Sequence, residues 1–183
     1  MKKYEFTGET KEIRLLFRTA TLHRIRATVA FGIVEVGDLG GWIEKEENLS
    51  HEGKAWVCGN AEVWGNAKVW GNAEVCGDAK VCGDAKVWGN AEVWGNAKVF
   101  SASHVLVIGA IGSRNDFTTF YRDKDNEITV KCGCFLGKID RFLEKVTQTH
   151  GDSKYALVYR AAVEVAKLQI DLSGEAPKDA DEE

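Results

Sequence analysis

Proline, methionine, long apolar runs and a surplus of basic charge are all scarce in this chain of 183 residues, which has one proline and one methionine. No run approaches the roughly 20 apolar residues that a membrane-spanning helix needs, and the N-terminal stretch MKKYEFTGET turns polar at once. We therefore expect neither a membrane span nor a secretory signal. The formal charge of −4 argues against general nucleic-acid binding. The five cysteines lack paired zinc-ligand spacing, so we expect reduced thiols in a cytoplasmic protein.

The chain is rich in one six-residue phrase, Ala-x-Val-x-Gly-Asn/Asp. Valine recurs every six residues over 57–99, and the same phase continues at Val105 and Ile111. Six is a multiple of the strand period but not of the helix period, so a strand keeps Ala and Val on one face. Gly and Asn after each valine tolerate the backbone of a sharp bend. Hairpins at each Gly-Asn would have arms of only four residues, so short strands in a parallel β-helix are favoured.

The phrase resembles the hexapeptide repeat of left-handed β-helices, in which three hexapeptides form one triangular coil. That resemblance implies a left-handed coil and a threefold assembly, which is common in the family. The flanking segments GDLGGWIEKEENLSHEGKAWV and IGSRNDFTTFYRD are similar to uncharacterised hexapeptide-repeat proteins of bacteria and their phages. This second resemblance implies a bacterial or phage context and no established activity.

We predict a mainly β fold: a left-handed parallel β-helix solenoid over residues 49–112, between a β-rich N-terminal cap and a small α+β (ββαα) C-terminal cap. The N-terminal cap covers 1–48, the C-terminal cap 113–172, and an acidic tail over 173–183 is predicted to be disordered. The caps would cover the unpaired strand edges at the two ends of the coil. Two helices are predicted from apolar residues at helical spacing, namely Ile139, Phe142, Leu143 and Val146, then Tyr155, Val158, Tyr159, Ala162 and Val165.

Residues on either side of each valine point outward, and a coil of 18 residues sorts them into three faces. The first face carries Trp56, Cys58, Glu74, Cys76, Glu92 and Trp94. The second face carries Glu62, Trp64, Lys80, Cys82, Lys98 and Phe100. The third face carries Lys68, Trp70, Lys86, Trp88, His104 and Leu106. Cys58 and Cys76 would lie one coil apart, near enough for a disulfide, but we expect two free thiols.

Exposed apolar columns such as Trp70, Trp88 and Leu106 usually mark an interface. The first face is acidic and the third is basic, so the third face of one chain can meet the first face of the next. We therefore predict a homotrimer. The alternative is that the caps fold back over the tryptophans.

Many β-helices of the resembled family are acyltransferases that use acetyl-CoA and a histidine base at the subunit interface. His104, in the column of Lys68 and Lys86, is the best candidate for that base. Against catalysis, the coils carry no inserted substrate loop and their repeats are uniform. We predict a non-catalytic scaffold or binding protein without cofactor or metal, which binds a host protein or a small anionic, nucleotide-like ligand. The predicted interface residues are Lys68, Trp70, Glu74, Lys86, Trp88, Glu92, Trp94 and Leu106.

Overall fold

The N-terminal cap is an antiparallel sheet that leads directly into the solenoid. The computed structural model describes residues 2–15 and 18–174. Strands β1 (Tyr4–Leu15) and β2 (Arg18–Ala27) form a hairpin, and β3 (Leu39–Ile43) pairs antiparallel with β2. Strand β3 then pairs in parallel with the first coil, so the cap extends one face of the solenoid. The predicted β-rich cap at this end is therefore present.

The solenoid makes about three turns and is built from eight strands of two residues each. Strands one coil apart pair in parallel, with Trp56 opposite Glu74 and Val57 opposite Val75. The alanines and valines of the repeat over 55–99 are at most 1% exposed. The predicted inward orientation of both residue types is thus confirmed. The strands are β4 (Trp56–Val57), β5 (Glu62–Val63), β6 (Lys68–Val69), β7 (Glu74–Val75), β8 (Lys80–Val81), β9 (Lys86–Val87), β10 (Glu92–Val93) and β11 (Lys98–Val99).

The corners between these strands depend on glycine for two reasons. All eight corner glycines over 53–95 have a positive φ, from 57° to 79°, which costs other residues free energy. Stacked corners also lie close together: a Cβ on Gly77 would sit 2.9 Å from the Gly95 nitrogen. The Asn and Asp residues that follow have negative φ, so the left-handed conformation expected at the corners is confined to the glycines. They form ladders between coils instead, as where the Asn60 amide donates to Asp78 at 3.1 Å.

The two ends of the coil present unpaired strand edges. Within the coil, backbone groups pair with the adjoining coil, as where Trp56 N donates to Ala73 O. Each end coil therefore exposes both N–H groups and carbonyls. Cap groups satisfy the carbonyls: the Lys3 ammonium donates to Ala55 O at 2.7 Å, and the Asn48 amide donates to Ala67 O at 2.8 Å.

Side chains of the C-terminal module pair with backbone groups of the last coil in the same way. Glu92 N donates to Thr119 Oγ1 at 3.0 Å, and Trp94 N donates to the Tyr121 hydroxyl at 3.3 Å. That hydroxyl also donates to Trp94 O. Because buried backbone groups need partners, these contacts explain why the polar atoms point towards the coil.

The C-terminal module has four strands and two helices, not the two strands that the sequence suggests. Val105 and Ile111 do not continue the coil, because both lie in a strand that pairs antiparallel with its successor. This is a correction: the period of six persists in the sequence, but the longer antiparallel pairing replaces it. The elements are β12 (Val105–Ile111), β13 (Asp116–Arg122), β14 (Ile128–Cys132), β15 (Phe135–Lys138), α1 (Ile139–His150) and α2 (Lys154–Gln169).

Both predicted helices are present, but the buried face of α2 differs from the prediction. Tyr159 and Ala162 are buried as expected, whereas Tyr155, Val158 and Val165 are exposed. Ala156, Val163 and Ala166 are buried in the module's core instead. The predicted disordered tail falls outside the described residues, apart from Ser173 and Gly174. No helix in the described ranges is long and apolar enough to cross a membrane.

Candidate functional site

The three outward faces of the solenoid differ in how far the caps cover them. Strands β4, β7 and β10 form the first face, β5, β8 and β11 the second, and β6 and β9 the third. The predicted sorting of outward residues therefore holds through residue 100. All six tryptophans lie in the described part of the chain, and among them only Trp88 is exposed.

The second face is packed beneath the N-terminal hairpin. Trp64 is 3% exposed and lies in a cluster with Ile13, Leu22 and Cys82. The expectation that caps cover some tryptophans is correct here. This face is interior and offers no binding surface around Trp64.

The first face forms a groove of about 570 Å³ beneath the loop over 28–38. Trp56 lies on its inner side, buried against the Phe31 ring at 5.4 Å between centroids. Cys58 and Cys76 also line the groove and are joined as a disulfide, contrary to the expected free thiols. The cause is the stacking of equivalent positions, which brings the two Cα atoms to 4.7 Å.

Two glutamates of this face have different surroundings. The Glu92 carboxylate lies 2.6 Å from the Lys131 ammonium, which also lies over the Trp94 ring at 4.4 Å. The Glu74 carboxylate is half-buried and makes no hydrogen bond or ion pair within the described residues, although the Lys131 charge acts on it. Burial, reinforced by the Glu92 charge and opposed by that of Lys131, raises the pKa of the Glu74 carboxyl. The groove therefore holds one acidic group without a cation in direct contact.

The third face carries a stacked pair of indoles between two lysines. The Trp70 and Trp88 rings are nearly parallel, with centroids 5.4 Å apart and planes at 10°. Trp88 is 48% exposed. Lys68 and Lys86 are exposed, and neither ammonium makes a hydrogen bond or ion pair within the described chain. A broad aromatic surface with two free ammonium groups suits contact with an acidic or planar partner.

His104 and Leu106 do not continue the third face, which corrects the prediction for both. His104 is 2% exposed and its Nδ1 accepts the Phe100 N–H at 3.3 Å. Burial lowers the pKa of the imidazole, and the nearby Arg122 charge adds to the effect. Leu106 packs with the core of the C-terminal module. The chain leaves the coil after Phe100, so neither side chain reaches the column of Lys68 and Lys86.

One polar cluster was missed at the level of sequence. Asp123, Asp125 and Glu127, in the turn between β13 and β14, bring their carboxylates within 4.8 Å of one another. The Lys138 ammonium contacts all three, which supplies their positive charge from within the chain. Burial alone would raise the pKa of Asp123, but hydrogen bonds from Lys138 and Thr129 lower it overall. The alternation of acidic residues in DKDNE was the available signal.

No family model matches the chain, and no curated protein does.

Proposed function

We propose that this protein is a non-catalytic scaffold that binds other macromolecules, first of all copies of itself, through the third face. The observation that supports this role is the exposed Trp70–Trp88 stack flanked by Lys68 and Lys86. Caps cover Trp64 on the second face and Trp56 on the first. An uncovered indole surface of this kind is typical of an interface.

We further propose that the assembly is a homotrimer, in which the third face of each copy meets the first face of the next. The contact would bring Lys68 and Lys86 towards an acidic surface that includes Glu74 and Glu92. Such a heterologous contact closes into a ring when the rotation between copies is one third of a turn. The charges of the two faces favour this pairing over contacts between like faces.

Sedimentation velocity on wild type and Trp88→Glu tests the proposal. The carboxylate places a charge in the proposed interface, so Trp88→Glu should sediment as a monomer where wild type sediments as a trimer. Leu168→Glu is the control, because Leu168 is 90% exposed and belongs to α2 of the C-terminal module. A monomeric wild type at micromolar concentration, or an unchanged Trp88→Glu variant, would contradict the proposal.

A second candidate function uses the same surface. A planar anion such as a nucleotide could stack on Trp88 while its charge meets Lys68 or Lys86. Calorimetric titration with a nucleoside monophosphate tests it against the unphosphorylated nucleoside. Binding that requires the phosphate and is lost in Lys86→Gln would support this function, whereas equal weak binding of both probes would dismiss it.

The scaffold needs no cofactor, whereas the rival acyltransferase function needs acetyl-CoA and a histidine base. The burial of His104 and its hydrogen bond with Phe100 N argue against that base. A thermal shift with acetyl-CoA is the test, because tight ligand binding raises the melting temperature. A clear upward shift at millimolar acetyl-CoA would revive the enzyme.

The place of action and the final partner are also proposals. A host protein, in a bacterial or phage context, remains the proposed partner of the assembled scaffold. The cytoplasmic location inferred from the sequence conflicts with the Cys58–Cys76 disulfide, because cytoplasmic thiols are kept reduced. Mass determination of protein isolated under alkylating conditions distinguishes the two states of this cysteine pair.

A further inference from the structure

We infer that the first-face groove is a receptor for a lysine side chain of the neighbouring copy, and that Lys68 of that copy completes it by pairing with Glu74. The inference rests on the proposed self-assembly and adds the partner atom and the register of the contact. It concerns one specific ion pair between copies.

The groove has the composition that an ammonium group on an aliphatic stem requires. Its half-buried acid, Glu74, has no cation in ion-pair contact within the described chain, while Glu92 pairs with Lys131, whose charge also acts on Glu74. The rim is apolar, because Ile33 and Leu39 line the groove and are 89% and 54% exposed. An aliphatic stem can lie along such a rim while its charged end reaches the acid.

One cation of the same chain, Lys54, also lines the groove. Lys54 is exposed at the rim and makes no ion pair with a described residue. No Lys54–Glu74 ion pair is present among the described residues. The Glu74 carboxylate therefore remains available to a cation of the neighbouring copy.

The register of the contact follows from the rise of the coil. Strand β6 precedes β7 by one third of a coil, and stacked strands are about 4.8 Å apart, so Lys68 lies about 1.6 Å below the level of Glu74. Lys86 lies equally close to the level of Glu92. Rotation about an axis parallel to the coil preserves these levels. Lys68 therefore faces Glu74 of the next copy, whereas Lys86 faces a glutamate that already has a partner.

Charge exchange between copies tests both the pair and its register. Lys68→Glu and Glu74→Lys should each weaken association at least about tenfold in sedimentation equilibrium, because each leaves two like charges together in the interface. The double variant Lys68→Glu/Glu74→Lys should return to within about threefold of wild type. The mismatched double variant Lys86→Glu/Glu74→Lys should stay weak.

Controls separate this inference from the proposed function and from misfolding. Glu62→Gln changes the equivalent repeat position on the second face and should leave association unchanged. Glu74→Gln keeps the shape of the side chain, so it should weaken association even if Glu74→Lys does not fold. If Trp88→Glu dissociates the assembly but the Glu74 and Lys68 variants do not, the scaffold stands and this inference is overturned. Rescue by the mismatched pair, or a monomeric wild type, would overturn it as well.

Discussion

At the ends of the coil, single side chains form the hydrogen bonds that a further coil would form. His104 shows this most directly, because its Nδ1 accepts the hydrogen bond from Phe100 N that a carbonyl of a further coil would have accepted. Only a neutral imidazole with an unprotonated Nδ1 can accept that hydrogen bond. The residue that most resembles a catalytic base in the sequence is thus an edge acceptor, and its burial favours the neutral form.

This role predicts a pH dependence of stability that is specific to His104. Its pKa is lowered on folding, so the unfolded chain binds more protons between the folded value and the ordinary 6.5. The free energy of unfolding should therefore fall as the pH drops below 6.5. The Asp171 charge opposes the effect and Arg122 supports it. In urea unfolding, His104→Gln should fall less over this range, because an amide oxygen accepts at every pH; parallel curves would contradict the assignment.

Lys3 predicts the corresponding behaviour in alkali. Burial lowers the pKa of its ammonium to about 8, from 10.5 in the unfolded chain. Between these values the unfolded chain binds more protons, so the free energy of unfolding should rise with pH. Compared with Lys3→Met, wild type should gain on the order of 2 kcal/mol from pH 8 to 10. Above that range Tyr4 counteracts, because its pKa is raised. Chemical unfolding at several pH values measures the difference, and an equal gain in Lys3→Met would refute the prediction.

At the scale of elements, two corner glycines allow the cost of a positive φ to be measured separately from the cost of a steric clash between coils. Gly77 and Gly89 both have positive φ, but a Cβ would meet Gly95 N at 2.9 Å from Gly77 and nothing within 4 Å from Gly89. Gly89→Ala should cost about 1–2 kcal/mol from backbone strain alone. Gly77→Ala should cost more, because the adjoining corner must also move. Thermal and urea unfolding of the two variants tests this order, and equal losses would show that stacking adds nothing.

At the scale of the whole molecule, the caps turn an open-ended coil into a closed unit. Without the C-terminal module, the last coil would expose a row of N–H and C=O groups able to pair with another chain. Side chains from a sheet of different topology, chiefly Thr119 and Tyr121, form hydrogen bonds with these groups instead. The caps therefore cover the strand edges through which coils could associate end to end.

The Tyr121 hydroxyl offers a test of this closure. Tyr121→Phe leaves two backbone groups of Trp94 without their partner, so the free energy of unfolding should fall by about 1–3 kcal/mol. The matched control is Tyr155→Phe on α2, where the ring is exposed and the loss should stay within about 0.5 kcal/mol. Urea unfolding measures both variants. Light scattering should also show more association end to end for Tyr121→Phe, and similar losses in the two variants would argue against the closure.

The sequence alone determined the solenoid, because each repeat carries its own instruction: valine and alanine inward, glycine at the corner, and a period that only strands can use. Those interactions are local or one coil away, so every repeat predicts its neighbours. The left-handed sense of the coil remains a prediction from resemblance. Tertiary structure alone decided where the coil stops after Phe100, which tryptophans are covered, and that His104 is buried. These outcomes depend on contacts with segments far along the chain, such as Trp64 with the N-terminal hairpin. The six-residue period of the sequence does not predict such contacts.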